Sequence, residues 1–424
     1  MNRRTFLATL GVAPACAQRS TARPNILVVV SDTLRTAFHG ARDVRTPNLD
    51  RFATQSALFE RAHPEALPTI PTRRTLHTGR RAFPFRDYKP IPWDNVYVPG
   101  WQPMDPEQEC VAEALDRAGY HCGFVSDVPH YFVPGQNFTR GFRQWDFVRG
   151  AAEDRYRATA PYPEAELTRR YKSPRAGAHV ANLGGFEPNE MDFATPRTFT
   201  SAMRFLDENR TLDKPFYLYV DTFHPHETWE APKAYYDLYR DPAYRGPTYL
   251  NVPYSTLDTT PLSEAELRDI RAHYSGLVTM VDHWFGRLLD KLDETGRSET
   301  TYVFFFSDHG TNFADNLERA IGKPAAALYP GTMHIPMLLR SPGGAGAGKR
   351  FQEFVYTLDV PATVTALAGA RLEPEGQNLL DLVEGRRWSA REFVTCRYSN
   401  CVWYRDERNW YFSDIHWNNP RLFD

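Results

Sequence analysis

PNILVVVSDT, residues 24–33, is a continuous apolar, β-branched run bounded by Pro24 and Asp32. A half-exposed strand would alternate apolar with polar residues. An unbroken run instead marks a strand buried on both faces, as in a parallel sheet covered by helices. The pattern returns in GYHCGFVSD (119–127), KPFYLYVDTF (214–223) and TYVFFFSDHG (301–310). Helical patterns separate these runs. TPNLDRFATQSALF (46–59) reads as a helix with Thr46 as cap, Pro47 at its first position, and Leu49, Phe52, Ala53 and Leu58 on one face. ECVAEALDRAGY (109–120) is a helix stopped at Gly119, and Ile270, Tyr274, Leu277, Val278, Val281, Leu288 and Leu292 recur at helical spacing from Glu264 to about Gly296. Strands alternating with helices of this length predict an α/β fold, a doubly wound sheet sandwiched by helices.

Each of these four strands ends at or just before an acidic residue: Asp32, Asp127, Asp221 and Asp308. One such Asp is commonly a cap. Four at the carboxyl edge, where open α/β sheets bind ligands, predict a polar site. SDHG is the most specific stretch, because adjacent Asp308 and His309 leaving a strand can offer an oxygen and a nitrogen to one cation, with Gly310 allowing the turn. Asp32 completes a predicted three-residue metal set. PTIPTRRTLHTGRR (68–81) taken alone is a stiff basic loop. Beside a cation, the Thr69 hydroxyl becomes a candidate nucleophile and metal contact, and Arg73, one helical turn on, a clamp for a tetrahedral oxyanion. FHPHETW (223–229) places His224 and His226 over the same edge, and one of the two is a candidate general acid for the leaving group. Lys323 and His334 lie on the chain leaving Asp308-His309, where a cationic Lys323 near a metal-bound anion would stabilise transition-state charge.

The 424 residues are 42% hydrophobic and 24% charged with a net charge of −2, values of a globular chain that give no reason to expect a nucleic-acid or membrane-spanning partner. Aromatic residues at 14% and 33 prolines predict long stiff loops of the kind that line clefts. MNRRTFLATLGVAPACAQ begins with Arg3-Arg4, continues in an apolar run too short to span a bilayer, and ends in Ala15-Cys16-Ala17. Residues 1–22 are therefore read as a twin-arginine-type signal peptide, with a periplasmic or secreted bacterial protein as the consequence. Cys110 and Cys122 lie at opposite ends of a helix, roughly 10 Å or more apart and beyond disulfide reach. Cys396 and Cys401 flank a predicted hairpin tip where a bridge is sterically open. The Gly-Ala stretch of MLLRSPGGAGAGKR (337–350) suggests a catalytic domain over 23–345 and a small antiparallel C-terminal subdomain over 346–424.

RPNILVVVSDTLR, TPNLDRFATQSALFERAHPEALPTIPTRRTLHTGR, AEALDRAGYHCGFVSD, FHPHETWEAP, TYVFFFSDHG, HIPMLLRSPG and RLFD together resemble, in order, successive blocks of the sulfatase family of the alkaline phosphatase superfamily. The resemblance implies a mixed sheet and a metal-dependent hydrolase of sulfate or phosphate esters. It implies one divalent ion: calcium, manganese or zinc. Carried over by position, Asp32, Asp308 and His309 bind metal, Thr69 is the nucleophile, and Arg73, His224, Lys323 and His334 serve the anion and leaving group. The chain departs from the family in three places. Thr69 replaces the Cys or Ser that is oxidised to formylglycine, so no formylglycine is expected. The paired acids after the first strand are reduced to Asp32-Thr33, and Asp127 stands where many sulfatases have a sulfate-binding Lys. A threonine ester is released by a second in-line attack, natural for a phosphoenzyme, which favours phosphate mono- and diesters. A phosphotransferase acting through Thr69, and an inactive relative binding sulfated or phosphorylated small molecules or glycans, are the alternatives. RLFD resembles a segment after which family members usually run on, so an early end or a truncated record is expected.

Overall fold

The computed structural model describes residues 23–36, 44–83, 99–151, 154–157 and 162–424. The predicted signal peptide and Cys16 lie outside them. An eight-stranded mixed sheet forms the centre. Its strands in chain order are β1 (Asn25–Ser31), β2 (Ala57–His63), β3 (His121–Ser126), β4 (Gln144–Phe147), β5 (Phe216–Thr222), β6 (Thr301–Ser307), β7 (Met337–Arg340) and β8 (Arg350–Tyr356). Across the sheet they run β8-β2-β7-β6-β1-β5-β3-β4. β1 is parallel to both β6 and β5, β5 to β3, and β3 to β4, while β7 runs antiparallel between β6 and β2. All seven residues of β1 and of β5 are buried, as expected for strands covered on both faces.

Helices flank the sheet in two groups. α1 (Pro47–Thr54) and α4 (Ala194–Glu208) pack on the long α5 (Glu264–Glu294), whose start is fixed by a reciprocal Ser263–Glu266 capping box. α2 (Thr69–Thr78), α3 (Val111–Arg117) and α6 (Asp359–Ala368) pack on one another. The helix expected over 46–59 ends at Thr54, and Leu58 belongs to β2. Its start is held from outside, because Asp282 of α5 accepts the Asn48 and Leu49 backbone N–H groups at 3.2 and 2.7 Å.

The boundary expected near residue 346 falls inside the large sheet, since β8 completes its edge by parallel pairing with β2. A second, five-stranded sheet comprises Val394–Tyr398, Cys401–Arg405, Trp410–Asp414 and Arg421–Phe423, and its last member is Ala66–Leu67, paired parallel to Val394–Tyr398. This sheet anchors the chain just before Thr69. Cys396 lies opposite Trp403 and Cys401 opposite Tyr398, so the hairpin does not pair the two thiols with each other. All four described cysteines are free. Among the described residues no helix is long and apolar enough to cross a membrane.

Candidate active site

Asp308, Asp32, Asp221 and Asp127 come from the carboxyl ends of four neighbouring strands, β6, β1, β5 and β3, and all four are fully buried. Asp32, Asp308 and His309 offer ligand atoms within 4.8 Å of one another. His309 Nε2 is 3.3 Å from Asp308 Oδ2 and 3.9 Å from Asp32 Oδ1. Its Nδ1 lies 3.0 Å from the Gly310 carbonyl, which fixes the proton there and leaves a lone pair on Nε2. Thr33, at φ 64°, is a β-branched residue in the left-handed region. The turn is held because its N–H donates to Asp308 Oδ1 at 2.9 Å and its hydroxyl to Asp32 Oδ1 at 2.6 Å.

Asp32 Oδ2, which is in ion-pair contact with Arg73, and His309 Nε2 are buried without a hydrogen-bond partner. Two such acceptors side by side are costly, and a cation satisfies both. Burial and the nearby Asp308 raise the Asp32 carboxyl to about 7, whereas at Asp308 burial is outweighed by Arg73 and His309 and the carboxyl falls below its usual range. Protein cations alone leave Asp32 short of counter-charge. The trio therefore fits a divalent ion.

Thr69 opens α2, a helix with all ten residues buried and no side-chain cap at its start. The backbone N–H groups of that first turn and the aligned peptide dipoles favour an anion there. Arg73 is fully buried one turn later. Nε and Nη2 donate to the two carboxylate oxygens of Asp221 at 3.0 and 2.8 Å, Nη1 donates to Asp308, and Nη2 lies 3.1 Å from Asp32 Oδ2. From the sequence Arg73 is expected to hold a tetrahedral oxyanion; in the structure its donors meet carboxylates. Burial disfavours its charge, but Asp221, Asp308 and Asp32 overcome this and hold it protonated. Tyr131 also donates to Asp221, at 2.6 Å. The chemistry left to Arg73 is to neutralise the acid cluster and fix the first turn of α2, where Nη1 lies 3.4 Å from the Thr69 carbonyl.

Lys323 Nζ sits between two groups, 3.4 Å from Thr33 Oγ1 and 2.8 Å from Glu227 Oε2. Glu227 Oε2 also accepts from Tyr254 at 3.2 Å and lies 3.1 Å from His226 Nδ1. Burial opposes its charge, but Lys323 and His226 pull the Glu227 carboxyl down to about 2. The structure brings His226, rather than His224, towards this cluster. His224 Nδ1 is tied to Thr195 at 2.8 Å, and the titratable groups that act on it are His179 and His226. His226 is lowered to about 4, by burial and then by Lys323, while Glu227 and Asp308 oppose the shift. Its Nδ1 lies 2.7 Å from the Glu227 carbonyl, placing the lone pair on Nε2 at neutral pH.

His334 is also placed elsewhere. Its Nε2 contacts the Glu60 carbonyl at 2.5 Å and its ring lies 5.7 Å from that of His63, so it packs beside β2. Asp127 accepts the Phe223 N–H at 2.6 Å and the Thr222 hydroxyl at 3.3 Å, clamping the chain that leads to His226. Sequence reasoning missed Glu227 and Tyr254, and saw Asp221 only as a strand end. Glu227 adjoins His226 in the quoted FHPHETW, but nothing local identifies Lys323 as its partner.

The family model described as Sulfatase matches residues 24–370. An arylsulfatase of Clostridium perfringens is 24% identical over 412 residues, covering 89% of this chain and 82% of the relative. The multifunctional alkaline phosphatase superfamily protein PehA of Trinickia caryophylli is 25% identical over 424 residues, covering 86% of this chain and 78% of its own. In fold the chain is similar to the phosphonate monoester hydrolase of Silicibacter pomeroyi, with TM-score 0.72, 19% identity, and 95% and 89% of the two chains covered. The corresponding enzyme of Agrobacterium radiobacter superposes with TM-score 0.69 at 21% identity, over 95% and 89% of the chains. With this match over most of its length, and with an acid-and-imidazole trio at the carboxyl edge of the sheet, the chain belongs to the sulfatase family of the alkaline phosphatase superfamily and is an ester hydrolase.

Proposed function

We propose that the protein hydrolyses phosphate mono- and diesters, and related phosphonate esters, through a covalent intermediate on Thr69. The observation that carries this reading is the placement of Thr69 at the uncapped start of a buried helix whose Arg73 is bonded into the Asp32–Asp308 pair. Threonine is a secondary alcohol and cannot yield the aldehyde of formylglycine, so its ester must leave by hydrolysis. A second in-line displacement is the ordinary way a phosphorylated enzyme intermediate is released. The PehA relative and the phosphonate monoester hydrolase structures, by their names, accord with phosphorus esters.

Asp32, Asp308 and His309 would hold the divalent ion, with Thr69 beside them. When bound, the ion lowers the hydroxyl pKa and offsets charge on the ester oxygens. One nitrogen among two carboxylates suits manganese or zinc better than calcium, which prefers an all-oxygen shell. Thr69 Oγ1 attacks phosphorus as the bond to the leaving oxygen breaks. His226 accepts the hydroxyl proton at Nε2 and hands it to that oxygen, and water then cleaves the phosphothreonine. Lys323 stabilises the charge that develops on the transferring group.

The test is a panel of aryl phosphate mono- and diesters, phosphonate esters and sulfate esters with manganese-, zinc- or calcium-loaded protein. Phosphorus-ester turnover that Thr69→Ala abolishes, with phosphothreonine trapped on rapid acid quench, is the expected result. Turnover intact in Thr69→Ala, or dominant arylsulfatase activity, overturns the reading. The twin-arginine leader supports export to a bacterial periplasm or beyond, which fractionation of cells carrying Arg3→Lys/Arg4→Lys would test.

A further inference from the structure

We propose that Glu227 is a specificity-determining residue that sets the charge of the substrate, making the site select singly charged esters, such as phosphate diesters and phosphonate monoesters, over doubly charged phosphate monoesters. The inference rests on the phosphorus-ester reading and narrows it. Four carboxyl groups converge here: Asp32, Asp221, Asp308 and Glu227. Among the described residues the Lys and Arg side chains paired with them are Arg73 and Lys323, and all six residues are at most 5% exposed. That deficit of two charges is what one divalent ion would cancel. The loaded site then offers an incoming anion almost no surplus positive charge.

Arg73 is bonded to Asp221 and Asp308, so of these two cations Lys323 is the one left to meet an oxyanion, and Glu227 sits 2.8 Å from it. A substrate oxygen must share Lys323 with Glu227. The second negative charge of a phosphate monoester meets repulsion from a fixed carboxylate a few ångströms away, in a buried setting where solvent screens little. Glu227 is built to stay charged. Lys323, Tyr254 and the His226 ring surround Oε2, while Oε1 is buried with no hydrogen-bond partner and keeps an unneutralised negative potential in the site. Discrimination by such an internal repulsive element costs the favoured substrate little, because a singly charged group needs only part of Lys323.

The experiment uses the metal-loaded full chain at about pH 8 with 4-nitrophenyl phosphate, doubly charged, against bis(4-nitrophenyl) phosphate and 4-nitrophenyl phenylphosphonate, both singly charged. In Glu227→Gln the ratio of kcat/KM for the doubly charged ester to that for either singly charged one should rise at least tenfold. Glu227→Asp should keep the wild-type ratio, and Lys323→Gln should lower it further by leaving Glu227 unopposed. The ratio cancels any common loss from imperfect folding. A ratio unchanged in Glu227→Gln, or shifted alike in Glu227→Gln and Glu227→Asp, overturns the proposal. Calorimetric titration with inorganic phosphate at the same pH reads the same effect without turnover: the anion should bind Glu227→Gln at least fivefold tighter than wild type, and equal affinities refute the inference. Loss of the Thr69 pathway would leave this binding difference intact, so the two readings fail separately.

Discussion

Asp221→Asn tests whether Arg73 is held by the acid cluster or merely lies near it. In the fold Arg73 Nε and Nη2 donate to separate Asp221 oxygens at 3.0 and 2.8 Å, and Tyr131 donates to the oxygen shared with Nε at 2.6 Å. Asparagine can keep one acceptor for Tyr131 and Nε. Its amide nitrogen then faces Nη2, donor against donor. With charge centres roughly 4 Å apart and an effective dielectric near 20, the lost attraction is about 4 kcal/mol, matching the roughly 3–5 kcal/mol typical when one partner of a buried ion pair is removed. Burial and Asp308 raise the Asp221 carboxyl in spite of Arg73, and Asp308 and Asp32 remain beside Arg73, so the net loss falls at the low end of that range. Urea unfolding at pH 7.5, followed by circular dichroism, should show the midpoint fall with unchanged slope, and Tyr131→Phe should cost about 2 kcal/mol, the worth of a hydrogen bond to a charged group. A change below about 1 kcal/mol for Asp221→Asn would refute the view that this carboxylate sustains the charge on Arg73.

His226→Ala should reduce phosphoester turnover by about 10²-fold or more, the ordinary worth of a proton-transfer group, whereas His224→Asn, which can still bond Thr195, should cost less than tenfold; the reverse order would restore His224 as the proton carrier. Chelation should abolish turnover reversibly and lower the melting temperature, while Asp308→Asn should melt at the same temperature with or without chelator. Acid should destabilise the fold through its buried histidines. His77, ringed by Tyr219, Phe138 and Tyr131, is held to about 3, by burial and then by Arg73. A depressed histidine means that the unfolded chain binds the proton first, so stability is full above about pH 6.5 and falls as pH drops towards 3. For His77 alone the loss by pH 4.5 is about 2.7 kcal/mol. Asp127, raised to about 7 by burial, slopes the other way, so the informative measurement is the difference between wild type and His77→Phe. Between pH 7.5 and 4.5 the stability of wild type should fall by about 2.7 kcal/mol relative to His77→Phe, and a constant difference would show that the ring is not kept neutral.

Much of this protein follows from its sequence because the signals are local. A β-branched apolar run has one comfortable environment, a strand covered on both faces, so PNILVVVSDT and TYVFFFSDHG locate two strands that prove to be neighbours in register from Asn25–Thr301 to Ser31–Ser307. Strand-end acids, the adjacent Asp308-His309 pair and Thr69 four residues before Arg73 are equally local, and the resemblance to sulfatases is carried by those blocks. What only the tertiary structure decided is how charges are shared among segments far apart in the chain. Arg73 is 148 residues from Asp221, and Lys323 is 96 from Glu227. Helix α1 is capped at its start by Asp282 of a distant helix, the residues from Ala57 on are drawn into β2, and β8 joins the main sheet beyond a Gly-Ala stretch that suggested a boundary. His224 and His226 stand two apart in one sequence, yet Thr195 holds the first ring while the second lies beside Glu227. A buried charge takes whichever partner packing places within about 3 Å, and that partner is set by how strands and helices come together rather than by either residue's neighbours in the chain.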